Sequence, residues 1–206
     1  DSEQTNMDEC KSRFLNYKNQ KLKYKFPNSF TGKIKKGLYK KNIIAAVIRE
    51  KGINSEREMA YMLHLSGFEV KDVHMTDLVS GKENLENVNM VVFPGGFSNS
   101  DVLGSAKGWA GAFKYNERAK KAINQFYSRS NTLSLGVCNG CQLMMELNLI
   151  DKKLNGNHPK MEHNNSKKFE CTFSGIDILE SNAVMLENLS GSTLGIWSAH
   201  GEGKFN

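Results

Sequence analysis

Beyond residue 41 the chain alternates short apolar runs with amphipathic ones. NIIAAVIRE (42–50) is a continuous apolar run of the kind that forms a strand buried on both faces. In NSEREMAYMLHLSGF the apolar positions Met59, Met62, Leu63 and Leu65 recur at helical spacing. Ser55 and Glu58 form a capping-box signature at its start, and Gly67 offers a stop. FEVKDVHM (68–75) predicts a second strand and VNMVVFPGG (88–96) a third that ends in a glycine turn. One long helical region from about Lys107 to Ser128, the strand TLSLGV and a helix from about Asn139 follow. The final stretches KKFECTFSGIDI, AVMLENL and GIWSAHGEGKF alternate like half-buried strands and predict antiparallel additions.

Strands and helices joined by short connections imply an α/β fold, a mostly parallel sheet flanked by helices. Binding sites in such sheets form at the carboxyl ends of the strands. Both glycine-rich turns, PGGFSNSD (94–101) and GVCNGCQ (136–142), fall at such ends.

Charge separates the N-terminal arm from the rest. The net charge is +6, yet residues 1–41 hold 11 Lys/Arg against 4 Asp/Glu, and the remaining chain holds 17 against 18. The arm therefore carries all the excess basicity. Its interleaved Tyr and Phe suit RNA or an acidic partner surface, but a solvated connector explains the composition without either. We expect no nucleic-acid partner. No apolar run is long enough to span a bilayer, and DSEQTNMDEC is no signal peptide, so no membrane partner and a cytoplasmic setting are expected. Four cysteines, unevenly spaced, do not make a disulfide framework.

Cys138 and Cys141 admit three chemistries. A zinc site would need His158, His163 or Cys171 to complete it, and Cys171 has no near partner in sequence. A redox dithiol fits a strand-to-helix junction but leaves the neighbouring glycines unexplained. The third reading uses them: Gly136-Val137-Cys138-Asn139-Gly140 has the form of a nucleophile elbow, in which a sharp turn exposes one reactive side chain. Unpaired N–H groups at the helix start favour the thiolate form, so Cys138 is the candidate nucleophile, with Cys141 one turn further on. No metal is expected.

A thiolate nucleophile needs a proton-transfer partner and donors for an oxyanion. Of five histidines, His64 lies in a predicted helix, His74 ends a strand, and His158 and His163 lie in polar loops. His200 in SAHGEG differs because Glu202 follows two residues later, on the same side of an extended chain, where a carboxylate can hold the imidazole. The backbone N–H groups of Asn139 and Gly96 are the natural oxyanion donors.

GVCNGCQ, preceded by VVFPGGFSNSDVLGSAKGW and followed by SAHGEGKF, resembles the glutaminase domain of the phosphoribosylformylglycinamidine synthases, a class I glutamine amidotransferase of flavodoxin-like fold. REKGINSEREMA and DVHMTDL share the resemblance, which runs from about Asn42 onward. It implies that Cys138 attacks the carboxamide of glutamine, that His200 and Glu202 complete a triad, and that Gln142, Asn164 and Ser166 contact the substrate. It further implies that ammonia passes to a synthetase portion of the same polypeptide, which binds ATP and Mg²⁺; no cofactor is expected in this chain. Residues 1–41 then read as a connector and 42–206 as the glutaminase domain, incomplete at its C-terminus. Two positions depart from the pattern: Asn99 and Ser100 replace Tyr-Gly before Asp101, and Lys168 stands where arginine is usual. A stand-alone cysteine hydrolase and a non-catalytic docking module are the alternatives; the presence of Cys138, His200 and Glu202 argues against the second.

Overall fold

Helix α1 occupies Ser2–Asn19, where charge alone suggests a featureless connector. In this computed structural model, which describes residues 2–19, 22–33, 43–150 and 158–206, side chains 6–16 of that helix are all exposed. The strand β1 (Ile44–Arg49), helix α2 (Glu56–Leu65), strand β2 (Glu69–His74) and helix α3 (Met75–Ser80) follow. Then come β3 (Met90–Phe93), α4 (Lys107–Tyr115), α5 (Glu117–Ser128), β4 (Leu133–Gly136) and α6 (Asn139–Glu146). The short strands β5 (Met161–Glu162) and β8 (Lys204–Phe205) pair antiparallel, and β6 (Glu170–Asp177) pairs with β7 (Thr193–His200). The chain divides into two compact units, one of Asp1–Gly32 with Glu170–Ala199, the other of Lys33–Phe169 with His200–Asn206. The boundary at 41/42 lies outside the described residues.

The larger unit is built on a parallel sheet of order β2-β1-β3-β4. That order reverses direction between β1 and β3, the switch point beside which ligands bind in flavodoxin-like sheets. Period-2 alternation gives the sheet two dry faces. Ala46, Ile48, Val91 and Phe93 face Trp109, Phe113, Phe126 and Leu143, whereas Ala45, Val47, Met90 and Val92 face Leu63 and the half-buried Met59. Helices α3 to α6 thus cover one face and α2 the other. Phe93, the last residue of β3, packs edge-on against Trp109 at 5.9 Å and Phe113 at 6.2 Å between centroids, so the turn that follows starts from a fixed point.

Three elements differ from the sequence expectation. The helix expected over 107–128 is two: Asn116, extended at φ −102°, ψ 119°, accepts hydrogen bonds from the N–H groups of Arg118 and Ala119 and caps a fresh helix. Ser55 has φ 66° and makes no cap; its hydroxyl donates to Asn54 Oδ1 instead. The capping box sits at α3, where His74 Nδ1 accepts from Thr76 N and Asp77 accepts from His74 N. Finally, AVMLENL is not a strand, since Val184–Leu189 forms a 3-10 helix.

Candidate active site

Phe93 and Gly136 are directly paired across β3 and β4, so both glycine-rich turns leave the sheet at the same level. The second makes a sharp corner. Val137 N donates to Phe93 O at 3.0 Å, and Cys138 then takes φ 53°, ψ −113°, a sparsely populated conformation costing on the order of 1–3 kcal/mol. The neighbouring glycines make that corner possible. A Cβ on Gly136 would stand 2.6 Å from Met144 Sδ and 2.7 Å from Gly140 O, and one on Gly140 would overlap Phe93 O. Cys138 is exposed, and α6 begins immediately after it, its carbonyl accepting from the N–H groups of Cys141 and Gln142.

Cys141 is half-buried, and burial first, then the charge of Cys138, raises its pKa. It is held as the neutral thiol, the poorer nucleophile. Among the described residues no group of three or more His, Cys, Asp or Glu is placed to hold a metal.

The first turn lies against the Lys51–Asn54 segment. Asn54 N donates to Gly95 O and Phe97 N to Gly52 O, each at 2.9 Å, while Gly96 takes φ 121°. Only glycine fits there, because a Cβ would stand 2.6 Å from Ile53 Cα and 2.7 Å from Asn54 N. Gly95 closes on the nucleophile, its missing Cβ only 3.0 Å from Cys138 Cβ. The Asn139 N–H is one of the orphan donors at the start of α6.

The histidine and its acid are arranged otherwise than the spacing predicts. Strand β7 ends at His200 and the chain bends at Gly201 and Glu202, so the two side chains no longer share one side of an extended segment. His200 Nδ1 instead meets Asn164 Oδ1 at 2.8 Å. Asn164 Nδ2 donates to His200 O at 2.8 Å and to Lys168 O at 3.0 Å, which leaves Oδ1 as the acceptor and places the ring proton on Nδ1. With its backbone N–H on Gly201 O at 2.9 Å, the 7% exposed Asn164 is stitched to His200 and its neighbour. Gly203 makes room, since a Cβ there would overlap the imidazole.

Glu202 turns the other way. Its Oε2 accepts from Ser105 N at 2.7 Å and lies 3.1 Å from Ser105 Oγ, and its Oε1 is 3.3 Å from His163 Nε2. The polar atoms of Gln142 are likewise engaged within the protein: Oε1 accepts from Asn139 Nδ2 at 2.8 Å and Nε2 donates to Glu202 O at 2.9 Å. Ser166 is exposed and its hydroxyl caps a local turn, accepting from Lys168 N at 3.3 Å. In this geometry the Glu202 carboxylate lies against Ser105 and His163, and the side chains of Gln142 and Asn164, the expected substrate contacts, are engaged with other residues of the chain. Ser105 and the side chain of Asn139 were not singled out by sequence. Their partners lie 97 and 41 residues away, which no local signal reveals.

Comparison with known proteins agrees with this architecture. The CobB/CobQ-like glutamine amidotransferase domain family matches residues 42–206. A probable phosphoribosylformylglycinamidine synthase of Arabidopsis thaliana, named as chloroplastic/mitochondrial, is 46% identical over 164 residues, covering 77% of this chain and 12% of that protein. The phosphoribosylformylglycinamidine synthase of Dictyostelium discoideum is 47% identical over 163 residues, covering 78% and 12%. The chain thus spans about an eighth of these relatives. The solved structure of PurLQS from Thermotoga maritima superposes with a TM-score of 0.65 at 23% identity, covering 80% of this chain and 69% of that one, and shares the fold. With its flavodoxin-like strand order, its cysteine elbow and a family match over 42–206, this chain belongs to the CobB/CobQ-like glutamine amidotransferase domains.

Proposed function

We propose that this chain hydrolyses glutamine and supplies the ammonia to a synthetase portion of a phosphoribosylformylglycinamidine synthase, for conversion of formylglycinamide ribonucleotide to its amidine in purine biosynthesis. The observation that carries the reading is Cys138, exposed in a strained corner at the carboxyl end of a parallel strand and the start of a helix. The likeness to the named synthases supplies the wider reaction. ATP and Mg²⁺ would belong to the synthetase portion, and no residue of this chain is assigned to them.

Cys138 Sγ attacks the carboxamide carbon, and the electron pair moves onto oxygen, where the Asn139 and Gly96 N–H groups receive it. His200, with one proton kept on Nδ1, takes the Cys138 thiol proton on Nε2 and gives it to the leaving nitrogen, which departs as ammonia and leaves a thioester. Water then adds to the thioester carbon as His200 Nε2 takes its proton, and collapse releases glutamate and the free thiolate. Glu202 is the proposed acid of the triad, while Asn164 Oδ1 holds the ring through Nδ1. A cytoplasmic site of action is consistent with four unpaired thiols, and no described helix is long and apolar enough to cross a membrane.

The test is labelling with an electrophilic glutamine analogue, followed by peptide mass spectrometry, on the polypeptide that includes the synthetase portion. Glutamine-protected modification of Cys138 is the expected result, with Cys141 reacting only as the pH rises beyond the ordinary thiol range. Protected labelling confined to Cys141, or none at all, overturns the reading.

A further inference from the structure

A chain of amide groups, buried at Ser98 and Asn139 and half-buried beyond, joins the three segments around the elbow. Ser98 N donates to Asn139 Oδ1 at 3.1 Å, Asn139 Nδ2 donates to Gln142 Oε1 at 2.8 Å, and Gln142 Nε2 donates to Glu202 O at 2.9 Å. Its ends fix its sense. It begins at a group that can only donate, the Ser98 N–H, and ends at one that can only accept, the Glu202 carbonyl. Two carboxamides in series are the side chains that satisfy both ends, because each accepts on one side and donates on the other. Asn139 and Ser98 are each 1% exposed, and the Ser98 hydroxyl makes no hydrogen bond among the described residues. Asn139 is thus the polar contact that ties Ser98 to the elbow.

Asn139 also carries one of the two proposed oxyanion donors on its own backbone, and Ser98 lies two residues from Gly96, which carries the other. The loop between them is gripped from its far side by the Lys51–Asn54 backbone and from its near side by the Asn139 carboxamide. We infer that the Ser98–Asn139–Gln142–Glu202 relay sets the spacing of the two oxyanion donors and couples it to the segment bearing His200, making Asn139 and Gln142 positioning residues. This deepens the glutaminase reading and rests on it. It also gives Gln142 a role that differs from substrate contact.

The two roles separate in kinetics. A lost substrate contact raises KM, whereas misplaced oxyanion donors lower kcat, by about 10²-fold for an error near 1 Å. Direct displacement by iodoacetamide builds no oxyanion, so alkylation of Cys138 reports the nucleophile alone. In the polypeptide that includes the synthetase portion, Asn139→Leu and Gln142→Leu are expected to lower kcat about 10²-fold with KM and the alkylation rate within about 2-fold. Asn139→Asp still accepts from Ser98 N but cannot donate to Gln142, and should fall between wild type and Asn139→Leu. Hydrogen exchange supplies a readout independent of turnover: the Phe97–Ser100 amides should exchange faster in Asn139→Leu while β1 and β3 stay protected. Unchanged exchange there, or a Gln142→Leu enzyme with raised KM and normal kcat, overturns the relay. A wild-type protein with no glutaminase activity defeats the glutaminase reading instead, and the catalytic role of the relay with it.

Discussion

The elbow at 136–140 and the loop at 98–106 both place non-glycine residues at positive φ, but they sustain that strain differently. In the elbow a single residue carries it, Cys138 at φ 53°, and backbone packed on backbone enforces it through Gly136 and Gly140. In the loop five residues share it, Asn99, Ser100, Asp101, Ser105 and Ala106, at φ 52°, 57°, 48°, 46° and 58°. There the restraint is polar. Asn99 N donates to Lys51 O, Ala106 N to Asp101 Oδ1 and Ser105 N to Glu202 Oε2, while Val102 and Leu103 stand 82% and 65% exposed. Steric enforcement leaves the elbow one conformation; polar restraint leaves the loop adjustable.

Gly140→Ala is the hardest test of that contrast and the largest expected effect. The added Cβ falls on Phe93 O, at the end of a central strand whose ring is locked between Trp109 and Phe113. Neither side can yield. A loss of about 3 kcal/mol, at the upper end of overpacking costs, is expected in urea denaturation, together with loss of Cys138 reactivity. An unchanged midpoint would mean that α6 slides on the sheet and that the elbow is no stiffer than the loop.

Glu202→Ala probes the polar side. It leaves Ser105 N–H, in a residue only 5% exposed, without its acceptor, at a cost of about 1–3 kcal/mol. Glu202→Gln keeps an amide oxygen for that N–H and should recover most of the stability. Exchange of the Gly104–Ala106 amides should rise in the alanine variant and scarcely move in the glutamine one. Equal exchange in both would show that the loop is held by something other than this carboxylate.

What sequence could show follows the same division. The elbow was legible because its restraint is local: two glycines, a cysteine and an apolar run lie within ten residues of one another. Short continuous apolar runs placed the strands of the parallel sheet for the same reason. Asn139, Asn164 and Ser105 were not legible as positioning groups, because each works through partners brought together only by folding. The bend after His200, which turns the Glu202 side chain toward Ser105, is a smaller feature that the spacing rule for strands does not anticipate. Asn116 hid inside an apparently continuous helical stretch, and Ser55 offered a capping box that a left-handed backbone cancels. His74-Met75-Thr76-Asp77 did carry the spacing of a capping box, with histidine as the acceptor.

Ser100→Gly is the gentlest probe. Ser100 sits at φ 57°, ψ 14°, and a left-handed residue with a side chain costs about 1–2 kcal/mol. Glycine removes that cost but widens the unfolded ensemble, an opposing term of about 0.4–1 kcal/mol. The backbone bond from Ser100 N to Phe97 O at 3.0 Å is kept. A net gain of about 0.5 kcal/mol should appear as a small upward shift in the urea midpoint with an unchanged slope. A shift downward would mean that the serine side chain itself restrains the loop; the upward shift would mark strain in this loop as removable, which the elbow, whose strained residue is the nucleophile itself, cannot match.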